Sequence, residues 1–248
     1  TASISGSTIR AEGTANGGDA LYNYVEGTIP LITDSTFYSY VRYGIYNYNG
    51  ARITTLEDTT VHSYTTFAIY NYGATISKMD NVNFRTDSSS VARATTSYYG
   101  LRNLNTRSGS GTSDSPYQVA NTGSIPLITN CDFTVYSTQA IQNGGTIGTI
   151  RGTILSGNAG ATSDANVLYN TRYTWADGYT SYQVDDGAVR TITYGTTGVP
   201  SITLIEDCTI TARAGQRAIN NQGVIGTITG SSGAGTAVTT TNGAYTLS

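Results

Sequence analysis

Apolar and polar residues follow one short pattern along this chain, and the pattern returns about every 24 residues. The clearest copies are LYNYVEGTIPLITDSTF from Leu21, IYNYNGARITTLEDTTV from Ile45 and IYNYGATISKMDNVNF from Ile69. Apolar residues alternate with polar ones over short stretches, which predicts strands and not helices. A fixed repeat of roughly two dozen residues is typical of a solenoid, in which stacked coils bury together what no coil buries alone.

Aligning the repeats produces columns of apolar residues that extend along most of the chain. One column consists of Ile4, Ile32, Leu56, Met79, Ile128, Ile150, Ile205 and Ile228, and another of Leu21, Ile45, Ile69, Leu101, Ile141, Leu168 and Ile219. We therefore predict an all-β, single-stranded parallel β-helix (a β-solenoid) of about eight coils of roughly 22–24 residues. A right-handed coil is expected because parallel crossovers strongly prefer that hand.

The repeat predicts one β-solenoid domain over residues 1–248, with loop insertions at 85–99, 104–122, 156–166 and 171–199. Loops on a rigid scaffold often carry function. The last insertion is rich in aromatic residues, and its Trp175 is a candidate binding residue. The insertions 104–122 and 171–199 leave the same corner of the coil two coils apart, which is close enough for them to form one lobe.

An asparagine column supports the predicted register. Its members are Asn23, Asn47, Asn71, Asn103, Asn143, Asn170 and Asn221. Asparagine tolerates the left-handed backbone conformation that a corner needs, and stacked carboxamides can hydrogen-bond from one coil to the next. We expect a structural ladder at this position, with the asparagines at a corner.

Tyrosine columns flank the asparagines in the first three coils that contain them. Tyr22, Tyr46 and Tyr70 precede the asparagine, and Tyr24, Tyr48 and Tyr72 follow it. Neighbours of an inward residue in a strand point outward, so an exposed aromatic ladder is expected. Stacked tyrosines can simply stabilise a sheet, or they can bind a sugar or a protein partner. The sequence leaves both interpretations open.

Composition and charge narrow the functional classes. Only 12% of residues are charged, the formal net charge is −3, and no basic stripe that would suit nucleic acid is present. No apolar run is long enough to insert in a membrane. The chain begins with Thr1, which suggests a mature product or a fragment. Cys131 and Cys208 fall two coils apart, about 10 Å, which is too far for a disulfide, so free thiols are expected.

No residue pattern predicts catalysis, a metal site or a cofactor. Polysaccharide hydrolases of this fold use clustered aspartates, a Gly-His-Gly and an Arg-x-Lys, whereas His62 lacks flanking glycines and Lys78 lacks the arginine. We expect His62 to face solvent. Asp34 and Asp58 share one corner, where turn formation is favoured over a bridging calcium ion.

The motifs IYNYG, GGTIGTI and ITNCDF resemble the repeats of bacterial cell-surface parallel β-helix proteins, namely autotransporter passenger domains and adhesin-like proteins. The resemblance implies an extracellular or cell-surface location and a role in adhesion or as a stalk.

The expected function is therefore a structural or adhesion module that presents a Tyr-rich face and loops, including as a filament or stalk subunit. The alternatives are a polysaccharide-active enzyme (a lyase or glycoside hydrolase) and a non-catalytic carbohydrate-binding module. Expected partners are glycans or another surface protein, together with head-to-tail self-association.

Overall fold

Parallel strands dominate the structure, a computed structural model. It describes residues 2–12, 18–86, 99–109, 118–135, 139–157, 166–171, 180–185, 188–193, 199–212, 217–230, 232–234, 239–240 and 244–247. Every regular element within these ranges is a β-strand, and the main strands form three parallel sheets of nine, eight and eight strands. The predicted parallel β-solenoid is thus confirmed.

Each coil contributes one strand to sheet A, one to sheet B and one to sheet C. Sheet A contains β1 (Ile4–Ser5), β4 (Thr28–Thr33), β7 (Arg52–Glu57), β10 (Thr75–Asp80), β15 (Ser124–Thr129), β18 (Thr146–Arg151), β23 (Ser201–Glu206), β26 (Val224–Thr229) and β29 (Ala244–Leu247). Sheet B contains β2 (Thr8–Ala11), β5 (Thr36–Ser39), β8 (Thr60–Ser63), β11 (Asn83–Thr86), β16 (Asp132–Val135), β19 (Ile154–Gly157), β24 (Thr209–Thr211) and β27 (Ser232–Ala234). Sheet C contains β3 (Leu21–Asn23), β6 (Tyr43–Tyr48), β9 (Phe67–Tyr72), β12 (Tyr99–Leu104), β17 (Gln139–Gly144), β20 (Asn166–Asn170), β25 (Arg217–Asn221) and β28 (Thr239–Thr240).

Two antiparallel hairpins lie within the predicted insertions. Strands β13 (Arg107–Ser108) and β14 (Gln118–Val119) pair inside 104–122, and β21 (Thr180–Asp185) pairs with β22 (Ala188–Thr193) inside 171–199. The solenoid strands also reach into the edges of 85–99, 104–122 and 156–166. Strand β11, for example, keeps its register as far as the pair between Thr86 and Ser63.

The core consists of similar layers, because the register places each apolar residue directly on its equivalent in the next coil. Ile32 pairs with Leu56, and Met79 pairs with both Leu56 and Ile128. These side chains are fully buried. The aromatic rings of Phe84 and Phe133 stack in the same way, with centroids 3.9 Å apart and planes within 10°.

A left-handed residue forms the corner between sheets A and B in all eight coils. Its members are Gly6, Asp34, Asp58, Asn81, Asn130, Gly152, Asp207 and Gly230, with φ between 47° and 59°. Glycine, asparagine and aspartate are the residues that adopt this conformation at least cost. The backbone conformation at this corner therefore supports the interpretation of Asp34 and Asp58 as turn residues.

Substituting Asp34 tests this corner. Asp34 is exposed, and its carboxylate accepts a hydrogen bond only from the adjacent Thr33 hydroxyl, at 3.3 Å, among the contacts of the described chain. We expect Asp34→Ala to lower the free energy of unfolding by about 1 kcal/mol, because alanine disfavours positive φ. Asp34→Gly should leave it unchanged or raise it. Equal losses in the two variants, measured by thermal unfolding with and without calcium, would contradict the backbone explanation.

A hydroxyl or thiol follows the left-handed corner in most described coils, with Val82 as the exception, and donates to the backbone carbonyl two residues earlier. Thr153 donates through its hydroxyl to Arg151 O at 2.9 Å, and the thiols of Cys131 and Cys208 lie 3.2 Å from the equivalent carbonyls. Both cysteines are buried and neither forms a disulfide, as predicted. Burial raises the pKa of the Cys131 thiol to about 12 and raises the pKa of Cys208, so these thiols stay protonated and structural.

The asparagine column forms an uninterrupted ladder inside sheet C. Each side-chain Nδ2 donates to the Oδ1 of the next asparagine at 2.8 Å, from Asn23 through to Asn221. The predicted structural ladder is therefore present. The predicted left-handed backbone is wrong, because these asparagines lie in strands and the positive φ falls two or three residues later, at Glu26, Asn49, Gly50 and Gly73.

Candidate functional site

Nine aromatic side chains cover the first coils of sheet C on its outer surface. We call this set the aromatic face; it consists of the columns Tyr22, Tyr46, Tyr70; Tyr24, Tyr48, Tyr72; and Tyr43, Phe67, Tyr99. The first two columns are those expected from the sequence. The third was missed, and it lies three residues before the first column.

The third column faces outward because the strand turns two successive residues inward. A Cβ on Gly44 would meet the core side chain of Val61 at 2.5 Å, and the following Ile45 is also buried in the core. Tyr43 therefore lies on the same side as Tyr46, with their ring centroids 5.1 Å apart. Strict alternation from Ile45 would have placed Tyr43 inside, whereas its 24-residue spacing from Phe67 was a usable signal.

Ring stacking along the solenoid axis is close, and it is nearly parallel throughout the first column. Tyr22 and Tyr46 are 4.9 Å apart with planes at 8°, and Tyr46 and Tyr70 are 5.1 Å apart at 6°. Tyr43 stacks on Phe67 at 5.2 Å. Tyr46, in the middle of the first column, thus has both flat surfaces covered and leaves mainly its edge for contact with other molecules. The pairs Tyr48–Tyr72 and Phe67–Tyr99 are tilted instead, by 40° and 49°.

Exposure differs sharply along the columns. Tyr22 and Tyr24 in coil one are 48% and 57% exposed, whereas Tyr46 in the next coil is only 8% exposed. A ligand that stacks on a flat ring can therefore reach Tyr22 and Tyr24 but not Tyr46. The six predicted tyrosines are brought together on one surface, yet they are not equivalent as binding residues.

Two arginines lie against the aromatic face. The Arg42 guanidinium is 4.5 Å from the Tyr43 ring centroid, and that of Arg102 is 5.0 Å from the Phe67 centroid. Cation–π contacts of this kind contribute about 0.5–2 kcal/mol, depending on solvation. The arginines therefore help to hold the rings in place and bring positive charge to this surface.

Asp19 anchors Arg42 from the first coil. Its Oδ1 lies 3.3 Å from Arg42 Nε and accepts a hydrogen bond from the Tyr43 backbone N–H at 3.2 Å. Burial raises the pKa of the Asp19 carboxyl, although Arg42 and the Tyr43 N–H oppose the shift.

Burial also raises the pKa of the Tyr22, Tyr46 and Tyr72 hydroxyls, so these phenols stay neutral at physiological pH.

A smaller aromatic cluster occupies the outer surface of sheet B and the corner that follows it. Tyr40 and Tyr64 stack at 4.3 Å, and His62 stacks on Tyr64 at 4.1 Å. His62 was expected to face solvent, but it is half-buried because Tyr64 and the more distant Tyr38 flank its ring. His62 therefore has a structural role as a member of this aromatic cluster.

Charged side chains on the outer surfaces form pairs both within one strand and between neighbouring coils. Lys78 contacts Asp80 at 2.9 Å and Glu57 at 3.5 Å, while Arg151 pairs with Glu206. A hydrogen bond from Lys78 lowers the pKa of Asp80. The pairs that join strands, Lys78 with Glu57 and Arg151 with Glu206, are of the kind that stabilises a sheet. Within the described ranges, no group of three or more His, Cys, Asp or Glu side chains is placed to hold a metal ion.

Trp175, the remaining predicted binding residue, lies outside the described residues. In the part of the chain that the structure covers, no helix is long and apolar enough to cross a bilayer.

Comparison of the chain with protein-family models, with curated proteins and with solved structures finds no match in any of the three. The resemblance to bacterial cell-surface β-helix proteins therefore stays a hypothesis.

Proposed function

We propose that the protein is an extracellular structural or adhesion module, a rigid solenoid that presents its aromatic face and inserted loops to a partner. The observation that carries the proposal is the aromatic face itself. Its nine rings lie on the outside of a sheet whose core is already filled by buried aliphatic side chains and the asparagine ladder. Exposed aromatic rings on a rigid surface, here Tyr22 and Tyr24 of the aromatic face, are typical of recognition sites.

Rigidity is supported by interactions that repeat from one coil to the next. The asparagine ladder links seven coils through six hydrogen bonds of 2.8 Å, and aromatic stacking adds contacts on the other side of the same sheet. Nearest-neighbour contacts of this type add along a solenoid. A stalk or a display scaffold needs this resistance to bending.

A filament form of the same function requires head-to-tail association. At the N-terminal end of the described solenoid, β1, β2 and β3 each pair on one side only. Unpaired strand edges invite further strands. Further coils of a longer chain and a second copy of the module both fit such an edge, and the filament proposal concerns the second. Surface glycans or another surface protein are the proposed partners of the outer face.

The exposed rings of Tyr22 and Tyr24 favour a glycan as partner, because a flat phenol face and a hydroxyl suit a sugar ring. We expect the double variant Tyr22→Ala/Tyr24→Ala to lose glycan-array binding at least about tenfold, with little change in stability. Tyr46 is unsuitable for this test because its burial would link binding to folding.

Tyr40→Ala is the matched control, since Tyr40 is 38% exposed but belongs to the cluster next to sheet B. It should bind like the wild type. Retained binding in the Tyr22/Tyr24 variant would remove these residues from the proposed contact surface, and equal loss in the control would point to a non-specific effect.

A further inference from the structure

Two tyrosines stack at the corner that follows sheet B, away from the aromatic face. Tyr40 comes directly after β5 and Tyr64 directly after β8, and their ring centroids lie 4.3 Å apart with planes at 8°. No other two tyrosine rings in the described part of the chain are as close, and the next pair, Tyr22 and Tyr46, is 4.9 Å apart. Tyr40 and Tyr64 therefore make the tightest tyrosine contact between successive coils.

The backbone holds these two tyrosines at the same position of successive coils. The Tyr40 N–H donates to Ala11 O at 3.1 Å, and the Tyr64 N–H donates to Ser39 O at 2.9 Å. Stacked strands lie about 4.8 Å apart, a gap that two tyrosine side chains bridge easily with a direct bond between their rings. A reaction between the rings therefore needs rotation of the side chains but no rearrangement of the backbone.

Solvent access distinguishes this pair from the closest pair of the aromatic face. Tyr40 is 38% exposed and Tyr64 is half-buried, so a small oxidant reaches both rings and their phenol protons leave to water. Tyr46, the partner of Tyr22, is only 8% exposed, and burial raises the pKa of its hydroxyl, which hinders loss of the proton. Oxidation that removes an electron and a proton from both rings is therefore favoured at Tyr40 and Tyr64.

We propose that Tyr40 and Tyr64 form a modification site, at which oxidation joins the second and third coils through a dityrosine bond. Each phenol gives up one electron and one proton, and the two tyrosyl radicals couple through ring carbons ortho to the hydroxyls. The hydrogens on the joined carbons return to the phenol oxygens, so one C–C bond forms and two electrons and two protons are released. The oxidant is hydrogen peroxide acting through a peroxidase, which takes up these electrons and protons and forms two water molecules.

A dityrosine bond at this position is the kind of covalent link between coils that the cysteines do not supply. Cys131 and Cys208 are both buried, and neither forms a disulfide. A bond between Tyr40 and Tyr64 restricts the unfolded chain as a disulfide does. We therefore expect the cross-linked protein to unfold at a temperature higher by roughly 5–10 °C.

The test oxidises the dilute full chain with a one-electron reagent, tris(bipyridine)ruthenium and persulfate under visible light. We expect dityrosine fluorescence and an intact mass lower by two hydrogen atoms. Trypsin, which cuts after arginine and lysine, then separates residues 11–42, which contain Tyr40, from 43–52 and from 53–78, which contain Tyr64. The expected product joins 11–42 to 53–78, whereas a bond between the first two coils of the aromatic face would join 11–42 to 43–52.

Tyr40→Phe keeps the stacked ring but lacks the phenol, so it should abolish the product that joins 11–42 to 53–78. Tyr38→Phe is the matched control, because Tyr38 lies in the same tryptic peptide but its ring packs beside His62; it should form the product as the wild type does. Four results would overturn the site: oxygen addition without a cross-link, cross-links only at other positions, the same product in Tyr40→Phe, or an unchanged unfolding temperature of the cross-linked protein. None of them bears on binding by the aromatic face, so the proposed function is tested separately.

Discussion

Replacement of Phe133 by alanine is expected to lower the free energy of unfolding by about 3–5 kcal/mol. Phe133 is fully buried, stacks on Phe84 at 3.9 Å, and is packed so closely that a Cβ on Gly100 would meet its ring at 3.1 Å. The neighbouring strands are held by parallel pairing on both sides and cannot collapse into the space. Chemical denaturation monitored by circular dichroism measures the change.

Phe133→Leu provides the comparison, because it keeps an apolar side chain in the layer and should cost distinctly less. If alanine and leucine proved equally tolerated, the layer would have to be far more adaptable than its fully buried, stacked rings indicate.

Asn103→Ala is expected to cost about 2–4 kcal/mol, the second largest effect. Asn103 Nδ2 donates to Asn143 Oδ1 at 2.8 Å and to Gly123 O at 3.1 Å, and its own Oδ1 accepts from Asn71. Alanine removes these three bonds, together with the donation from Nδ2 to Thr146 O at 3.2 Å, from a site with no access to water. The same denaturation experiment, with the denaturant midpoint as readout, measures the loss.

Asn23→Ala is the matched control at the end of the ladder. Asn23 makes one ladder bond as donor and, within the described chain, accepts none, so its replacement should cost clearly less than that of Asn103. Equal effects at the two positions would argue against a ladder in which interior members are held from both sides.

The repeat made the fold predictable, because one column position has the same environment in every coil. Ile32, Leu56 and Met79 could be placed on one another from their spacing alone, and the asparagine hydrogen bonds followed from the same register. The local backbone was harder to infer. Asn47 was assigned a corner conformation that belongs to Asn49 and Gly50, since composition does not show which of several turn-forming residues takes the positive φ.

The candidate site was only partly predictable for a related physical reason. Tyr22 and Tyr46 were identified, but the paired inward residues Gly44 and Ile45 reverse the alternation and hide Tyr43 from a period-two pattern. The exposure and the tilt of each ring depend on what packs around it. Those properties arise from the folded surface and have no signature in spacing.

The asparagine ladder gives the solenoid a dipole along its axis. All of its carboxamides point the same way, with nitrogen towards the later coil and oxygen towards the earlier one. Aligned amide dipoles add along an axis, as peptide dipoles do in a helix, and neighbouring hydrogen bonds polarise one another. The end of the ladder at Asn23 is consequently the negative pole of this dipole, and the end at Asn221 is the positive pole. The two ends of the ladder therefore differ in electrostatic potential even without a contribution from charged side chains.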